Sequence, residues 1–415
     1  MSNKTKTTNR KENCQPKLVP KLRLPEFRSK EGWRIRTLKE LLFEAKKRNR
    51  ELEFSHSDVL SVSGEYGCVN QIEFMGRSYA GVSVKDYHVV EHGDIVYTKS
   101  PLKRNPFGII KANKGKRGIV STLYAVYRPF PDCSTTYLDH FFSGDHNLNS
   151  YLQPIVKKGP KNDMKVNNAD VLKGDICVPE LKEQQKIAEF LDTVDELLAS
   201  QSKKVAALKT HKKGLMQQLF PGEGKAKPHL RFPQFEKGGE WMESTVAENV
   251  LTITPPKKLQ TSDYLTIGSF PIVDQSQDYI CGWTNDSESL IDVGFPVIVF
   301  GDHTCALKYI DRPFAQGADG IKILRPRGQI DTAFLFYSMQ ANPVVQESYK
   351  RHFSMLREKK LLFPDPKSGE QQRIADCLAS LDDFITMQTQ KLEALKTHKK
   401  ALMQQLFLSM AVVNG

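Results

Sequence analysis

The sequence contains none of the short motifs that mark common catalytic or nucleotide-binding sites. It has no GxGxxG or GxxxxGK[ST] phosphate loop, no HExxH zinc helix, no GxSxG nucleophile turn and no Asn/Asp-Pro-Pro-aromatic motif for holding a base. Glu358-Lys-Lys360 has the ExK form found in some nucleases, but such triplets are frequent when 26% of residues are charged. We therefore expect no catalytic residue in this chain.

Long apolar runs and closely spaced cysteines are absent as well. No run approaches the roughly 18 apolar residues of a membrane helix, and no signal-peptide core follows Met1, so we expect a cytoplasmic protein without membrane contact. No CxxC occurs and the ten histidines show no ligand spacing, which favours a reduced compartment and no metal site. The seven cysteines are scattered: Cys14, Cys68, Cys133, Cys177, Cys281, Cys305 and Cys377.

Positive charge is abundant but unevenly placed. The net charge is +12 and the pI is about 9.2, which suits a polyanionic partner such as nucleic acid. Residues 1–30 hold nine Lys and Arg against only Glu12 and Glu26, so the rest of the chain is only mildly basic. Residues 1–16 have few apolar groups and are expected to be disordered.

A segment of 38 residues occurs twice. Residues 183–220 read EQQKIAEFLDTVDELLASQSKKVAALKTHKKGLMQQLF, and residues 370–407 read EQQRIADCLASLDDFITMQTQKLEALKTHKKALMQQLF. The offset is 187 throughout, without a gap, and neither copy contains proline. Such a match is typical of a gene-level internal repeat, and its composition predicts two long helices.

Apolar residues recur along both copies with a 4-3 spacing. This 3.5-residue period predicts an a/d coiled-coil seam that faces a partner helix. Two matched seams in one chain favour pairing with each other; the alternative is that each helix lies on its own globular domain. The seam positions are Ile187, Leu191, Val194, Leu198, Gln201, Val205, Leu208, Lys212, Leu215 and Leu219, repeated as Ile374, Leu378, Leu381, Ile385, Gln388, Leu392, Leu395, Lys399, Leu402 and Leu406.

Each seam is interrupted near its middle by a glutamine. Gln201 and Gln388 are equivalent positions, and antiparallel copies related by a pseudo-two-fold axis would cross at their midpoints. We expect the two side chains to meet amide to amide, since each amide can both donate and accept. The alternative is that both face water at the edge of the seam.

A second repeat, with an offset of 208, opens each half of the chain. Pro20-Lys-Leu22-Arg23-Leu-Pro-Glu-Phe27 matches Pro228-His-Leu230-Arg231-Phe-Pro-Gln-Phe235, and each is followed by a Trp and a T-x-x-E capping box. The capping boxes are Thr37 to Glu40 and Thr245 to Glu248. We expect a basic tail at 1–16, a first domain at 17–178, helix one at 179–220, a linker at 221–228, a second domain at 229–366, and helix two with a tail at 367–415.

The two globular parts are expected to be α+β domains, because short β-rich runs alternate with turn residues and short helices. The predicted helix of the second domain is Leu335 to Met339. Expected strands are Asp58–Val62, Gly93–Tyr97 and Gly118–Tyr127 in the first domain, with Tyr264–Ile267, Phe295–Phe300 and Gly320–Leu324 in the second. The fold class is therefore two α+β domains joined by two long antiparallel coiled-coil helices.

Basic and polar segments inside these domains are candidates for nucleic-acid contact. Lys and Arg suit phosphates, whereas Arg, Asn and Gln can bond base edges in pairs. The alternative for each is a solvated loop. The candidates are Lys99, Lys103, Arg104, Asn105, Lys114, Lys116, Arg117, Lys161 and Asn162 in the first domain, and Gln275, Gln277, His303, Lys350 and Arg351 in the second.

These repeats resemble the specificity subunit of type I restriction–modification enzymes, through the doubled EQQ(K/R)IA…LMQQLF helices and the Pro-x-Leu-Arg-x-Pro-x-Phe starts. The run from Phe300-Gly-Asp302 to Gly320 adds to the resemblance. It implies two target-recognition domains for a bipartite site in double-stranded DNA, and a helix spacer that docks two methyltransferase subunits. It also implies that AdoMet, ATP and Mg²⁺ bind partner subunits, including restriction/translocase subunits, and that this chain binds no cofactor.

Two other functions stay open from the residues alone. The chain could be a stand-alone DNA-binding regulator in which the coiled coil pairs two copies, or a coiled-coil scaffold that binds only protein. Pairing within one chain would explain why both helices are present, which a regulator does not require. Binding of duplex DNA over a salt series separates the scaffold from the other two.

Overall fold

The computed structural model describes residues 18–100, 102–158, 164–222, 224–294, 296–318, 320–347 and 351–408. The expected basic tail at 1–16 lies outside these residues. The chain forms two compact units. Unit 1 comprises Met1–Ser200 with Leu392–Gly415, and unit 2 comprises Gln201–Lys391. Each unit thus combines one globular domain with the beginning of one long helix and the end of the other.

Unit 1 is built from short strands and helices that precede the first long helix. Its strands are β1 Arg34–Thr37, β2 Leu42–Glu44, β3 Leu60–Ser63, β4 Gly67–Asn70, β5 His88–Val90, β6 Ile95–Thr98, β7 Ile109–Ala112, β8 Gly118–Val120, β9 Tyr124–Pro129, β10 Lys157–Lys158, β11 Met164–Lys165 and β12 Asp175–Val178. Its helices are α1 Gln71–Met75, α2 Thr135–Ser143, α3 Asp145–Leu152, α4 Asn168–Val171 and the first part of α5 Leu181–Leu219.

Unit 2 follows the same plan. Its strands are β13 Met242–Thr245, β14 Val250–Ile253, β15 Phe270–Val273, β16 Gly282–Thr284, β17 Leu290–Ile291, β18 Val297–Gly301, β19 Leu307–Ile310, β20 Phe314–Gln316, β21 Ile321–Pro326 and β22 Lys360–Phe363. Its helices are α6 Val246–Asn249, α7 Thr332–Ala341, α8 Phe353–Glu358 and most of α9 Glu370–Leu406.

The two long helices form where the repeat predicts them. Helix α5 has 39 residues and α9 has 37. The first begins just after Pro179 and ends before Pro221, and α9 follows Gly369, whose φ of +80° suits glycine. The α+β fold class with two long helices is confirmed.

Each unit contains a four-stranded antiparallel sheet of the same order. The order is β2-β9-β6-β7 in unit 1 and β14-β21-β18-β19 in unit 2. All residues of the central strands β6 and β18 are buried, because α2 in unit 1 and α7 in unit 2 pack close to these sheets. A two-stranded pair, β1–β12 or β13–β22, joins the start of each domain to the strand that leads into its long helix.

The remaining sheets differ between the units. Unit 1 adds the antiparallel pairs β3–β4, β5–β8 and β10–β11. Unit 2 instead adds the four-stranded sheet β16-β15-β20-β17, in which β15 and β20 run parallel. The two domains therefore share a central sheet and differ in the peripheral strands and loops.

The expected strands and the short helix overlap observed elements except in two places, and Phe295, the first residue of one expected strand, lies outside the described residues. Tyr264–Ile267 is not a strand: a 3-10 turn at Thr261–Asp263 precedes it, and it carries only an isolated bridge from Leu265 to Trp283. The single strand expected at Gly118–Tyr127 is two strands, β8 and β9, which pair with different neighbours and are separated by a turn.

Both capping boxes form as expected, and no helix in the described ranges is suited to a bilayer. Thr37 N donates to Glu40 Oε1 at 3.0 Å, and Thr245 N donates to Glu248 Oε2 at 3.0 Å. The first closes a 3-10 turn at Leu38–Glu40 and the second begins α6. Within the described residues, no helix has both the length and the apolar character needed to span a membrane.

Candidate nucleic-acid interface and helix pair

The start of unit 1 is fixed to the start of α5 by a buried ion pair. Arg23 Nε and Nη2 donate to Glu183 Oε1 and Oε2 at 2.8 and 2.6 Å, and both side chains are about 95% buried. Trp33 Nε1 also donates to Glu183, at 3.1 Å. The hydrogen bond to Glu183 raises the pKa of the Arg23 guanidinium above its usual value.

The same contact recurs in unit 2. Arg231 Nε and Nη2 donate to Glu370 at 2.8 and 2.5 Å, with Glu370 1% exposed. Among the described residues, the buried Trp241 Nε1 has no hydrogen-bond partner, so this carboxylate lacks the indole bond seen in unit 1. The repeated Arg and Glu, which belong to repeats with different offsets, thus meet in both units.

The residue before each arginine contacts the end of the other long helix. Leu22 N donates to Gln405 O at 3.0 Å in unit 1, and Leu230 N donates to Gln218 O at 2.9 Å in unit 2. We call Leu22-Arg23 and Leu230-Arg231 the entry clamps, since each joins the beginning of one long helix to the end of the other. The sequence carried a signal for them, because the Leu-Arg pair is identical in both halves.

An aromatic cluster beside each clamp repeats as well. In unit 1, Tyr137 lies 6.3 Å from Trp33 and 5.3 Å from Phe407, measured between ring centroids. In unit 2, Phe334 lies at corresponding distances of 5.8 Å from Trp241 and 5.4 Å from Phe220. Each cluster packs a domain against the C-terminal end of a long helix.

The two seam glutamines meet in unit 2. Gln201 Nε2 donates to Gln388 Oε1 at 3.0 Å and to the Gln388 carbonyl at 2.9 Å. Their exposed fractions are 7% and 8%, so both amides lie inside the seam and do not face water at its edge.

Lysines further along the seam bind aspartates of the facing helix. Lys212 Nζ lies 2.7 Å from both carboxylate oxygens of Asp382 in unit 2, and Tyr337 donates to the same carboxylate at 2.9 Å. In unit 1 the equivalent residues, Lys399 and Asp195, form the same ion pair. Within unit 2, partner numbers fall along α9 as they rise along α5, so the helix segments are antiparallel.

The apolar seam positions serve two purposes. Those near each helix start are fully buried in their own unit's core, namely Ile187 and Leu191 in unit 1 and Ile374 and Leu378 in unit 2. The helix starts therefore lie on their own domains, which was the alternative to mutual pairing. The middle positions are more open: Ile385 is 9% exposed, and Leu198, Leu208 and Leu395 are half-buried.

Replacing only one seam glutamine should lower the free energy of unfolding. We expect Gln201→Leu to cost about 1–3 kcal/mol, because the buried Gln388 amide loses its side-chain partner. Gln388→Leu should cost less, since Gln201 keeps the Gln388 carbonyl as an acceptor. The double change to leucine should match or exceed the wild-type stability. Denaturant melts test this, with exposed Gln390→Leu as the matched control.

An additive result would contradict the amide pairing. If the two single losses simply summed in the double variant, the side chains would be acting independently. The same would follow if Gln390→Leu destabilised the protein as much as Gln201→Leu.

Some of the nucleic-acid candidates of unit 1 are exposed, and others are bound to carboxylates of the protein. Lys103, Arg104 and Lys116 are exposed, and Lys99 is half-buried. Asn105 is 8% exposed, and its Nδ2 donates to Asp145 Oδ1 at 2.9 Å. Its amide is thus used to hold the loop that presents its two exposed neighbours.

Two further basic candidates are bound to carboxylates. Lys114 Nζ lies 3.3 Å from Asp139 and 3.0 Å from Asp192; although burial opposes it, these carboxylates hold the pKa of Lys114 above its usual value. Arg117 pairs with two glutamates, Glu53 at 2.7 Å and Glu91 at 3.1 Å. Lys161, Asn162 and Lys350 lie outside the described residues.

In unit 2 the loops after β15 and β18 come together. Gln275 is half-buried, and its Oε1 and carbonyl accept from His303 N at 3.4 Å and Thr304 Oγ1 at 2.6 Å. The buried Lys308 donates to the carbonyls of Asp274 and Asp278 at 2.8 and 2.5 Å, which fixes the intervening turn. The exposed Gln277 lies in that turn.

Arg351 is also exposed, whereas His303 is half-buried. The structure therefore brings Gln275 and the backbone of His303 together, and the exposed Gln277 lies in the adjoining turn. Such polar groups suit contact with base edges.

A histidine and two aspartates in unit 1 lie close enough together to be metal ligands, but lysines already bind the two aspartates. His140 Nε2 lies 3.0 Å from Asp192 Oδ1, and Asp195 is nearby. Asp192 binds Lys114 and Asp195 binds Lys399, so the protein's own cations balance both carboxylates. Burial, and after it the nearby Lys114, lowers the pKa of the His140 ring below its usual value.

Known proteins resemble this chain in both sequence and fold. The profile of the type I restriction modification DNA specificity domain matches residues 30–210. The type I restriction enzyme MjaVIII specificity subunit of Methanocaldococcus jannaschii is 26% identical over 262 residues, covering 55% of this chain and 60% of the relative. The putative MjaX specificity subunit of the same organism is 26% identical over 275 residues, covering 60% and 62%. The matched part therefore spans about three fifths of each relative.

Solved structures share the fold along nearly the whole chain. The S subunit of a type I restriction–modification system from M. genitalium has a TM-score of 0.59 at 14% identity, covering 94% of this chain and 99% of that one. A chain from a study of assembly and conformational transition of the type I R-M system has a TM-score of 0.52 at 17% identity, covering 91% and 97%. The chain is therefore similar to type I restriction–modification specificity subunits, with the DNA specificity domain matched at residues 30–210, and it shares the fold of the solved S subunits.

Proposed function

We propose that this chain reads a bipartite site in double-stranded DNA, with the globular domain of each unit contacting one half. The observation that carries this proposal is the combination of a repeated framework and divergent loops. Entry clamps, central sheets and helix seams recur in both units, whereas peripheral strands and polar loops differ. Two similar domains with different loops suit the reading of two different half-sites.

The loops offer the chemistry that such reading needs. In unit 1 the exposed Lys103, Arg104 and Lys116 suit phosphates, and in unit 2 Gln277 and Arg351 suit base edges or phosphates. Phosphate contacts position a protein on DNA, and base-edge contacts select the sequence. The long helices would then set the number of base pairs between the two half-sites.

The proposed partners rest on the similarity to type I specificity subunits. Two methyltransferase subunits are proposed to dock on the repeated parts of the chain, one for each unit, because equivalent surfaces suit two copies of one partner. Restriction/translocase subunits would complete the complex. AdoMet, ATP and Mg²⁺ are proposed to bind these partners, and this chain would supply recognition in the cytoplasm.

The purified chain alone should neither methylate nor cleave DNA in the presence of AdoMet, ATP and Mg²⁺. The physical reason is that its sequence offers no motif to hold these compounds. Adding the methyltransferase subunits should produce sequence-specific methylation, measured by transfer of labelled methyl groups. Turnover by the chain alone, at a level that survives further purification, would contradict this prediction.

The chain could alternatively be a stand-alone dimeric regulator, but the contact between Gln201 and Gln388 uses both helices of one chain for pairing. A protein-only scaffold is the third candidate. Anisotropy titration with duplex DNA over a salt series tests all three: the regulator binds DNA as a dimer and the scaffold binds none. Sedimentation of the DNA-bound chain measures the copy number.

A further inference from the structure

Unit 1 contains a large groove beside the loop that presents Arg104. Its walls are the turn between β3 and β4, the junction of α2 and α3, and the last turns of α9, and its volume is about 1160 Å³. Pockets for small molecules usually enclose about 300–1,000 Å³. The size and open form of this groove therefore suit part of a polymer.

The groove is lined by more positive than negative side chains. Seven lysines and arginines face it, against four carboxylates. The inner cations are already bound: Lys111 donates to Ser143 Oγ at 2.6 Å, Lys114 binds Asp139, and Lys399 binds Asp195. At the junction of α2 and α3, the carboxylate of Asp145 accepts a hydrogen bond from Asn105.

Positive charge at the mouth of the groove is exposed. Lys21, Arg104 and Lys400 are all exposed, and they come from three separate parts of the chain. The backbone of Arg104 is held by Asn149, whose Nδ2 donates to the Arg104 carbonyl at 3.0 Å. Three cations on different walls can contact successive anionic groups of a polymer.

An exposed aromatic side chain stands at one wall and contacts a second ring behind it. Tyr66 lies in the turn between β3 and β4, is 59% exposed and faces the groove, and its ring centroid is 5.1 Å from that of Phe74, which is 46% exposed. The turn is held by Ser63 Oγ, which accepts from the amides of Glu65 and Tyr66 at 3.3 and 3.1 Å. Exposed rings beside cations are typical of nucleic-acid surfaces, where they pack on sugars and bases.

We propose that this groove binds the phosphodiester backbone of duplex DNA, with Lys21, Arg104 and Lys400 on phosphates and Tyr66 against the sugar face. This inference rests on the proposed function and deepens it, because it places the end of α9 on the DNA. The long helix would then act both as spacer and as part of the contact surface of unit 1.

The test compares two charge-matched triple variants of the full chain. We expect Lys21→Ala/Arg104→Ala/Lys400→Ala to reduce the slope of log affinity against log salt by about 0.9 for each lost phosphate contact. The control is Lys39→Ala/Lys173→Ala/Lys186→Ala, which removes three exposed lysines that do not line the groove. Both are titrated with a mixed-sequence duplex, followed by fluorescence anisotropy.

An aromatic variant gives an independent measurement. Tyr66→Ala/Phe74→Ala should weaken DNA binding about fivefold with an unchanged salt slope, because aromatic packing on the sugar is lost and no charge is removed. The charge-preserving variant Lys21→Arg/Arg104→Lys/Lys400→Arg should keep the wild-type slope, because it retains all three positive charges.

Each of the other outcomes contradicts either the groove assignment or the proposed function. If the wild type binds DNA and the groove variant keeps its slope, the groove assignment fails while the proposed function stands. Equal losses in the groove and control variants would show an effect of net charge alone and would also overturn it. If the groove variant loses binding to polyglutamate but not to DNA, the groove serves an acidic protein segment. A wild type that binds no duplex at any salt concentration overturns the proposed function itself.

Discussion

Glu183→Ala should destabilise unit 1 by about 3–5 kcal/mol, because it leaves the buried guanidinium of Arg23 without its carboxylate. Arg23 is 6% exposed, so water cannot replace the lost partner. The same change removes the acceptor of the Trp33 indole and loosens the join between the domain and the start of α5. This single substitution therefore removes a buried charge partner together with three hydrogen bonds.

The measurement is native-state hydrogen exchange across residues 18–36 with a denaturant melt. Glu189→Ala on the same helix is the matched control, since its pair with Lys186 is exposed and should contribute less than about 1 kcal/mol. The double variant Arg23→Met/Glu183→Leu should recover much of the loss, because an apolar pair replaces the ion pair. Equal effects of Glu183→Ala and Glu189→Ala would contradict the role of the clamp.

The long helices could be predicted from the sequence because their signal is local. A sustained 3.5-residue apolar period, without proline, determines both the helical conformation and the face that is buried. The equivalence of Gln201 and Gln388 then follows from the constant offset of the repeat. The antiparallel pairing needed only the added assumption of pseudo-two-fold symmetry.

The shared order of the central sheets could not be predicted, because it depends on pairing between strands that lie far apart in the chain. What both retain is an apolar central strand, seen as Ile95–Thr98 and Val297–Gly301, and its position between two neighbours. Many different apolar sequences satisfy that requirement. The strand expected at Tyr264–Ile267 was wrong for a related reason, since β propensity alone does not supply a neighbouring strand.

The sequence contains both parts of each entry clamp, but it does not show that the two parts are in contact. Arg23 and Glu183 belong to two repeats with offsets of 208 and 187, and each repeat was visible by itself. Their contact spans 160 residues, so local pattern cannot reveal it. Retention of both motifs in both halves is explained by this contact, because each loses its partner if the other changes.

The candidate DNA residues were the hardest to judge from the sequence. Asn105 and Arg104 are neighbours in a polar loop, yet Asn105 is buried against Asp145 while Arg104 faces a groove. That difference depends on a residue 40 positions away. The part of α9 that reaches this groove, including Lys400, was not among the residues expected to contact DNA.

The clamps also explain why one domain should be exchangeable without disturbing the rest. A junction after Arg231 and another before Glu370 would leave the buried ion pair of unit 2 in place. The helix seam, with Gln201 and Gln388, would also be untouched. Trp241, the strands β13 and β22, and Phe334 and Tyr337 of α7 must fit the retained parts, and a relative with the same frame supplies equivalents.

Replacing residues 241–366 with the matching region of a relative should therefore change one half of the methylated DNA motif completely and leave the other half unaltered. The spacer length should stay the same, because α5 and α9 keep their register. Methylome sequencing after reconstitution with methyltransferase subunits measures both halves and the spacer at once. The reciprocal control replaces residues 33–178 and should alter only the other half-site. If either exchange changed both halves or neither while methylation persisted, the assignment of one domain to each half-site would be wrong.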